Sequence, residues 1–211
     1  MIYLDFAKAF DKCDHGVILH KLKALGIIGK IGVWIYAFLT NRQQVVGIQG
    51  VLSQKEWVTS GVPQGSVLGP LLFAILISDI TLNITPSLLL SYADDTKIYK
   101  GISVEEDEEA LQNDLYRVYR WSEDNNQEFN EKKFESMRFS FNDDESIYFN
   151  PEGDIIVNHP MVKDLGVLIT DDCSFNKHIV TMTTKGRKLA GWILRTFDCR
   201  EHPFHANTLE I

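Results

Sequence analysis

The sequence LLLSYADDTKIYK, residues 88–100, is the most informative stretch of the chain, because two adjacent carboxylates separate two short, strand-like segments. Residues 88–93 and 96–100 predict two strands, joined at the tip of a hairpin by Asp94 and Asp95. Neighbouring like charges repel each other unless a cation joins them. The pair therefore suggests a metal site, although a turn that merely favours aspartate is a common alternative.

A third carboxylate, Asp5, stands near the end of the opening stretch MIYLDF, which predicts a buried strand. Nucleotidyl transfer uses two divalent cations, and magnesium needs only two or three carboxylates if they converge. An aspartate on one strand and a pair on a neighbouring hairpin would meet this need. Considered alone, an aspartate at a strand end often only caps the following helix.

Helices and strands alternate irregularly along the rest of the sequence. The apolar periodicity predicts five helices, a hairpin over 43–60 and three further strands. We expect Asp14 to cap the first helix, and the second to be buried because it is apolar almost all round. This irregular order predicts an α+β fold, with a small antiparallel sheet packed on helices. The predicted helices cover 15–25, 31–39, 66–80, 104–122 and 175–197, and the further strands lie near 136–141, 154–158 and 163–169.

The composition, 45% apolar in 211 residues, is ordinary for a globular protein. No apolar run is long enough to span a membrane, and no signal peptide is evident. Three widely spaced cysteines, Cys13, Cys173 and Cys199, favour a reducing compartment over disulfides or a zinc site. The net charge of −8 argues against simple nucleic-acid binding. The motif HPFH at 202–205 has no partner carboxylate and is rejected as a metal site.

Five segments resemble, in order, motifs A to E of the reverse transcriptases of non-LTR (LINE-type, jockey-like) retrotransposons. The resemblance implies a polymerase palm over residues 1–170, followed by the first thumb helix and a tail over 171–211. The motifs are YLDFAKAFD at 3–11, SGVPQGSVLGPLLF at 60–73, YADD at 92–95, NEKKF at 130–134 and KDLGV at 163–167.

The resemblance assigns the metal site to Asp5, Asp94 and Asp95, with the backbone carbonyl of Phe6 as an additional ligand. Two Mg²⁺ ions are the expected cofactors, and Mn²⁺ is a possible substitute. Phe10 falls on the steric-gate position, where a ring fills the space of a ribose 2′-hydroxyl. A core aromatic at the turn after the first strand is the alternative for Phe10.

Further roles follow from the other motifs. Gln64 matches the residue that contacts the incoming dNTP, and Pro63 and Gly65 hold its loop; without the resemblance, PQG is simply a good turn. Lys133 matches the lysine that protonates the pyrophosphate leaving group, although its neighbour Lys132 could be confused with it. Motif E is similar to the primer-grip hairpin.

The resemblance also implies the partners: an RNA template, a DNA primer and dNTPs. We expect an intracellular protein of cytoplasm and nucleus, neither secreted nor bound to membranes. The fingers, most of the thumb and the endonuclease segment of the family's longer polyprotein do not appear in the sequence. A catalytically inactive truncated remnant, or a nucleic-acid or protein interaction module, is therefore the alternative function.

Overall fold

The computed structural model describes residues 1–140 and 146–197, in which short antiparallel strands alternate with helices. Its α-helices are α1 His15–Ala24, α2 Gly29–Leu39, α3 Leu68–Ile77, α4 Glu105–Asp124 and α5 Asn176–Thr196. Its strands are β1 Ile2–Asp5, β2 Gln43–Gln44, β3 Gly47–Ile48, β4 Val51–Leu52, β5 Glu56–Trp57, β6 Leu88–Tyr92, β7 Asp95–Tyr99, β8 Glu135–Ser136, β9 Tyr148–Phe149, β10 Ile155–Ile156, β11 Met161–Asp164 and β12 Val167–Thr170.

A four-stranded antiparallel sheet in the order β6-β7-β1-β8 forms the centre of the fold. In its register Ile2 lies opposite Ile98 and Asp5 opposite Asp95. Side chains alternate between the two faces of a strand, so Ile2 and Ile98 share one face and the two aspartates the other. Ile2, Leu4 and Ile98 are buried. One face of the sheet therefore belongs to the core, and the opposite face carries the carboxylates.

The buried face joins the helices in one hydrophobic cluster. The inner stripe predicted for α4 is confirmed, since Leu111, Leu115, Val118 and Ser122 are all buried. Leu72, Phe73 and Leu76 of α3, with Ile18 and Leu22 of α1, complete this core. Helices on an antiparallel sheet confirm the predicted α+β class.

The first two helices agree with prediction only in part. Asp14 caps α1 as expected, because its Oδ1 accepts a hydrogen bond from the Val17 N–H at 2.9 Å. The prediction that α2 is buried all round is wrong: only Ile35 and Leu39 are buried, and Trp34 is 57% exposed. Among the described elements α2 contacts chiefly α1, so one face alone is covered.

Several strands also differ from prediction. The β6–β7 turn consists of Ala93 and Asp94, so Asp95 already belongs to β7. The single strand predicted over 163–169 is wrong, because the chain reverses at Leu165 and Gly166 to form the β11–β12 hairpin. Both turn residues have positive φ angles, of 46° and 88°, which reverse the chain within two residues. The strand predicted near 136–141 is reduced to β8, while β9 was not predicted.

The described residues divide into two compact units. The first comprises 1–138 and 146–160, and contains the four-stranded sheet with α1 to α4. The second comprises 139–140 and 161–197, where α5 contacts β12. Within the described part of the chain, no helix combines the length and apolarity that crossing a bilayer requires.

Candidate active site

Asp5 and Asp95 are direct cross-strand partners at the ends of β1 and β7. Residues opposite each other in an antiparallel pair project to the same face, with Cβ atoms about 4.5–5.5 Å apart. Asp94 lies one residue earlier, in the turn after Ala93, whose φ is 55°. The backbone thus brings two of the three predicted carboxylates together by register, whereas the turn places the third.

Lys133 already places a positive charge on this site. Its Nζ donates a hydrogen bond to Asp5 Oδ2 at 2.9 Å from the 3₁₀ turn Glu131–Lys133. The two side chains are 62% and 31% exposed, respectively, so solvent screens the pair. Lys132 is in no ion pair among the described residues. The contact therefore distinguishes Lys133 from its neighbour, which the sequence could not do.

The donor chemistry of the site suits a hard divalent cation. Such ions take carboxylate oxygens, keep several waters, and bind through one or two carboxylates plus substrate phosphates. The ammonium of Lys133 stands where a cation would neutralise Asp5. Across residues 1–140 and 146–197, however, no three His, Cys, Asp or Glu side chains form a metal-binding group. Asp5 and Asp95 therefore fit a cation between them, and Asp94 as the third ligand stays a prediction.

The backbone around Asp5 is fixed by the segment after α4. The Asn130 N–H donates to the Asp5 carbonyl at 2.7 Å, and the Ala7 N–H donates to the Glu128 carbonyl at 2.8 Å. Between them, the buried ring of Phe6 stacks on Phe129 with ring centroids 4.4 Å apart. The Phe6 peptide is therefore held beside the carboxylates, and its role as a ligand stays a prediction.

Phe10 lies in the turn between β1 and α1. Its half-buried ring packs on Phe73 of α3, with centroids 4.7 Å apart, and its carbonyl accepts the Val62 N–H at 2.9 Å. This packing agrees with the core-aromatic interpretation of Phe10. The packing also holds the ring of Phe10, a motif A residue, against motif B. The steric-gate role of Phe10 stays a prediction.

The motif B turn, residues 60–65, lies directly on the motif A turn. Gly61 has a φ of +84°, and a Cβ added there would approach the Asp11 carbonyl oxygen to 2.6 Å. Its N–H donates to the Cys13 carbonyl at 2.8 Å, and the Ser60 hydroxyl donates to the Asp11 carbonyl at 2.9 Å. Only glycine satisfies both the backbone angle and the close approach.

Gln64 is oriented by Asp11. Its Nε2 donates to Asp11 Oδ1 at 2.8 Å, and both side chains are exposed. An ionised carboxylate only accepts hydrogen bonds, so the contact identifies which amide atom faces Asp11 and leaves Oε1 available to a ligand. Asp11 belongs to motif A, but no role was predicted for it from the sequence. Its position four residues before the helical His15 offered no signal for this contact.

Two further residues that the sequence analysis missed converge on the Gly61 carbonyl. His15 Nε2 donates to it at 2.8 Å, and Arg42 Nη2 donates to it at 3.0 Å. Both contacts join segments 19 or more residues apart, which no local sequence pattern reveals.

A cleft of about 510 Å³ opens beside the motif B turn. Its walls include Lys8, Arg42, Trp57 and Gln64, and Trp57 is 63% exposed. Pro63 also lines the cleft, and its carbonyl accepts hydrogen bonds from the N–H and the hydroxyl of Ser66. These contacts and the positive φ of Gly65, +77°, shape the loop that carries Gln64.

Cys13 lies beneath these turns and takes no chemical part in them. Its thiol donates to the Ala9 carbonyl, and burial raises the pKa of Cys13 to about 12. A thiol that ionises this weakly is a poor nucleophile and metal ligand. Cys13 and Cys173 are free thiols, Cys13 buried and Cys173 exposed.

The predicted primer contacts lie in the second unit. Motif E forms the β11–β12 hairpin, and no residue of α5 is buried. The basic side chains of α5 are therefore accessible. Residues 202–205, rejected above as a metal site, lie outside the described residues, as does Cys199.

Comparisons with known proteins agree on one family. The sequence model of the family "Reverse transcriptase (RNA-dependent DNA polymerase)" matches residues 1–183. The chain is 30% identical over 189 residues to the RNA-directed DNA polymerase from mobile element jockey of Drosophila melanogaster, covering 85% of this chain and 20% of that protein. It is 28% identical over 194 residues to the probable RNA-directed DNA polymerase from transposon X-element of the same species, covering 88% and 21%. The chain thus spans about a fifth of the length of these relatives.

Proposed function

Because the chain belongs to the reverse transcriptase family, we propose that it forms the palm of an RNA-directed DNA polymerase from a non-LTR retrotransposon, with the start of its thumb. It adds dNTPs to the 3′-hydroxyl of a DNA primer on an RNA template. The family identified from the five motifs is confirmed by relatives that match over most of the chain. Those relatives are about five times longer, and we place the chain within a longer polyprotein. We assign that polyprotein to the cytoplasm and nucleus, as the retrotransposon resemblance implies.

The observation that carries this proposal is the pairing of Asp5 with Asp95 on the open face of the sheet. Members of the family use divalent metal ions, and we assign two Mg²⁺, replaceable by Mn²⁺, to Asp5, Asp94, Asp95 and the Phe6 carbonyl. Bound cations would lower the pKa of the primer hydroxyl and neutralise the charge that develops on the transferred phosphoryl group. The two paired carboxylates are anchored on strands, which favours a precise site over a mobile one.

The remaining residues position the substrate and move one proton. Gln64 presents its Oε1 and its second amide hydrogen to the incoming dNTP, because Asp11 holds the rest of the amide. Phe10, braced by Phe73, excludes the 2′-hydroxyl of a ribonucleotide. Lys133 carries the proton on Nζ that the pyrophosphate oxygen receives as it leaves. Lys133 must then leave Asp5 when substrate and cations bind, and the screened pair costs little to break.

The sheet face beside Asp95 suits a nucleic-acid duplex. Leu88, Leu90 and Tyr92 of β6 share this face in the register with β7, and all three are exposed. Apolar and aromatic surface next to the carboxylates offers contact to the sugar and base of a primer end. This supports the DNA primer and the RNA template as partners.

A catalytically inactive remnant is the second candidate. It is favoured by the absence, among the described residues, of a three-ligand group and by the ion pair that occupies Asp5. A remnant predicts that the carboxylates bind no divalent cation and that their substitution changes no activity.

Primer extension on an RNA template distinguishes the two candidates. The assay uses the longer polyprotein that contains these residues. It compares Asp95→Asn with Asp124→Asn, a control at an exposed aspartate at the end of α4. We expect Asp95→Asn to lower extension at least about a hundredfold, since charge stabilisation at the phosphoryl group is lost. Equal extension by both variants would refute the metal assignment.

A further inference from the structure

Arg42 links the end of α2 to the 60–65 turn, two segments that are distant in the sequence. Its Nε donates to the carbonyl of Leu39, the last residue of α2, at 2.9 Å. Its Nη2 donates to the carbonyl of Gly61 at 3.0 Å. Leu39 is fully buried, so one end of this bridge rests on the core. The other end holds the 60–65 turn, which carries Gln64.

The Gly61 carbonyl is saturated by two side chains. A carbonyl oxygen has two lone pairs, and His15 Nε2 and Arg42 Nη2 each donate to it. The N–H groups of Gly61 and Val62 donate to Cys13 and Phe10 on the opposite side. Donors and acceptors on both sides thus fix the peptide planes around Gly61.

This anchor continues to the nucleotide side of the loop. Gly61 lies three residues before Gln64. The side-chain amide of Gln64 donates to Asp11. Asp11 belongs to the motif A turn, next to the carbonyl of Cys13 that accepts the Gly61 N–H. Both Asp11 and Gln64 are exposed, so their own hydrogen bond is too weak to fix the loop alone. The partly buried contact of Arg42 and the buried contact of His15 supply the rigidity that this exposed pair lacks.

We propose that Arg42 is a positioning residue of the nucleotide site, which holds the 60–65 turn and thereby sets the location of Gln64. The inference rests on the proposed function for the role of Gln64, whereas the anchoring of the turn is independent of it. Arg42 acts through the backbone and need not touch the nucleotide. Its two donors point to two different carbonyls, a geometry that the single ammonium of lysine does not reproduce.

Hydrogen exchange of the Gly61 and Val62 amides tests the anchor without nucleotide. In Arg42→Gln of the 211-residue chain, we expect both amides to exchange about tenfold faster. This factor corresponds to the stabilisation lost with one hydrogen bond from a charged donor. The Leu115 amide in α4 reports whether the core remains folded and should be unchanged. Arg42→Lys should resemble Arg42→Gln, and Arg120→Gln, on the exposed face of α4, should resemble the wild type.

Steady-state primer extension in the longer protein tests the link to the nucleotide. Arg42→Gln should raise the KM for dNTP about tenfold with a smaller change in kcat, since a displaced Gln64 weakens ground-state binding. Unchanged amide exchange, or Arg42→Lys equal to the wild type, would overturn the inference, as would an unchanged KM. A wild-type protein without polymerase activity would count against the proposed function only, because the exchange measurement requires no nucleotide.

Discussion

Replacing Gly61 by alanine, compared with the same change at Gly65, isolates the contact between the motif A and motif B turns. Both glycines have a φ near +80°, namely +84° and +77°. An added Cβ at Gly65 meets nothing within 4 Å, whereas at Gly61 it meets the Asp11 carbonyl oxygen at 2.6 Å and Cα at 2.9 Å. The two variants therefore share the conformational cost and differ in the steric one.

The expected magnitudes follow from these contacts. A left-handed conformation costs an alanine about 1–2 kcal/mol, partly offset by about 0.4–1 kcal/mol because alanine restricts the unfolded chain. Gly65→Ala should therefore lower the free energy of unfolding by about 1 kcal/mol. Gly61→Ala must also push the turn away from Asp11 and weaken the hydrogen bonds of Gly61 and Val62, each contributing about 1 kcal/mol. We expect a total loss of about 3–4 kcal/mol.

Urea unfolding followed by tryptophan fluorescence and circular dichroism measures both variants on the same chain. We expect Gly61→Ala to have the lower unfolding midpoint with an unchanged slope. If the two variants lost the same stability within about 0.5 kcal/mol, which is less than either of the two hydrogen bonds contributes, the close approach of the two turns would be refuted.

Three further outcomes are expected. Lys133→Gln should tighten Mn²⁺ binding about two- to fivefold by calorimetric titration, because a screened ion pair of up to about 1 kcal/mol no longer competes; Lys132→Gln should not, and equal effects would contradict the assignment. A disulfide reagent should modify the exposed Cys173 rapidly at pH 8 and the buried Cys13, with its raised pKa, only on unfolding; equal rates in the folded chain would contradict this. Asp114→Ala should destabilise the chain by about 2–4 kcal/mol in urea, because this fully buried carboxylate accepts two backbone N–H groups; a change below about 0.5 kcal/mol would be inconsistent with those contacts.

Local patterns in the sequence predicted much of the fold. The stripe of α4, the cap of α1 by Asp14 and the 88–100 hairpin depend on neighbours within a few residues, and all three are present. The exposure of α2 could not be predicted, because its apolar composition does not reveal which faces other segments cover. The β11–β12 turn was missed because leucine rarely adopts the positive φ found at Leu165.

The candidate site, like the fold, could be predicted from the sequence only in part. The motifs predicted the carboxylates and Gln64 as site residues, and the folded register places Asp5 opposite Asp95. The hydrogen bonds of Arg42 and His15 to Gly61 join distant segments through a backbone carbonyl, so no residue type or spacing indicates them. The contact of Lys133 with Asp5, 128 positions apart, likewise required the folded chain.

Binding of Mn²⁺, followed by the loss of its free-ion electron paramagnetic resonance signal, tests whether Asp5 and Asp95 form a metal site. We expect the wild-type chain to bind Mn²⁺, and Asp5→Asn and Asp95→Asn each to weaken binding about tenfold or more, since each removes a ligand. Asp124→Asn should bind as the wild type does. If all four proteins bound Mn²⁺ equally, or none bound it, the paired carboxylates would not be the metal site of a polymerase.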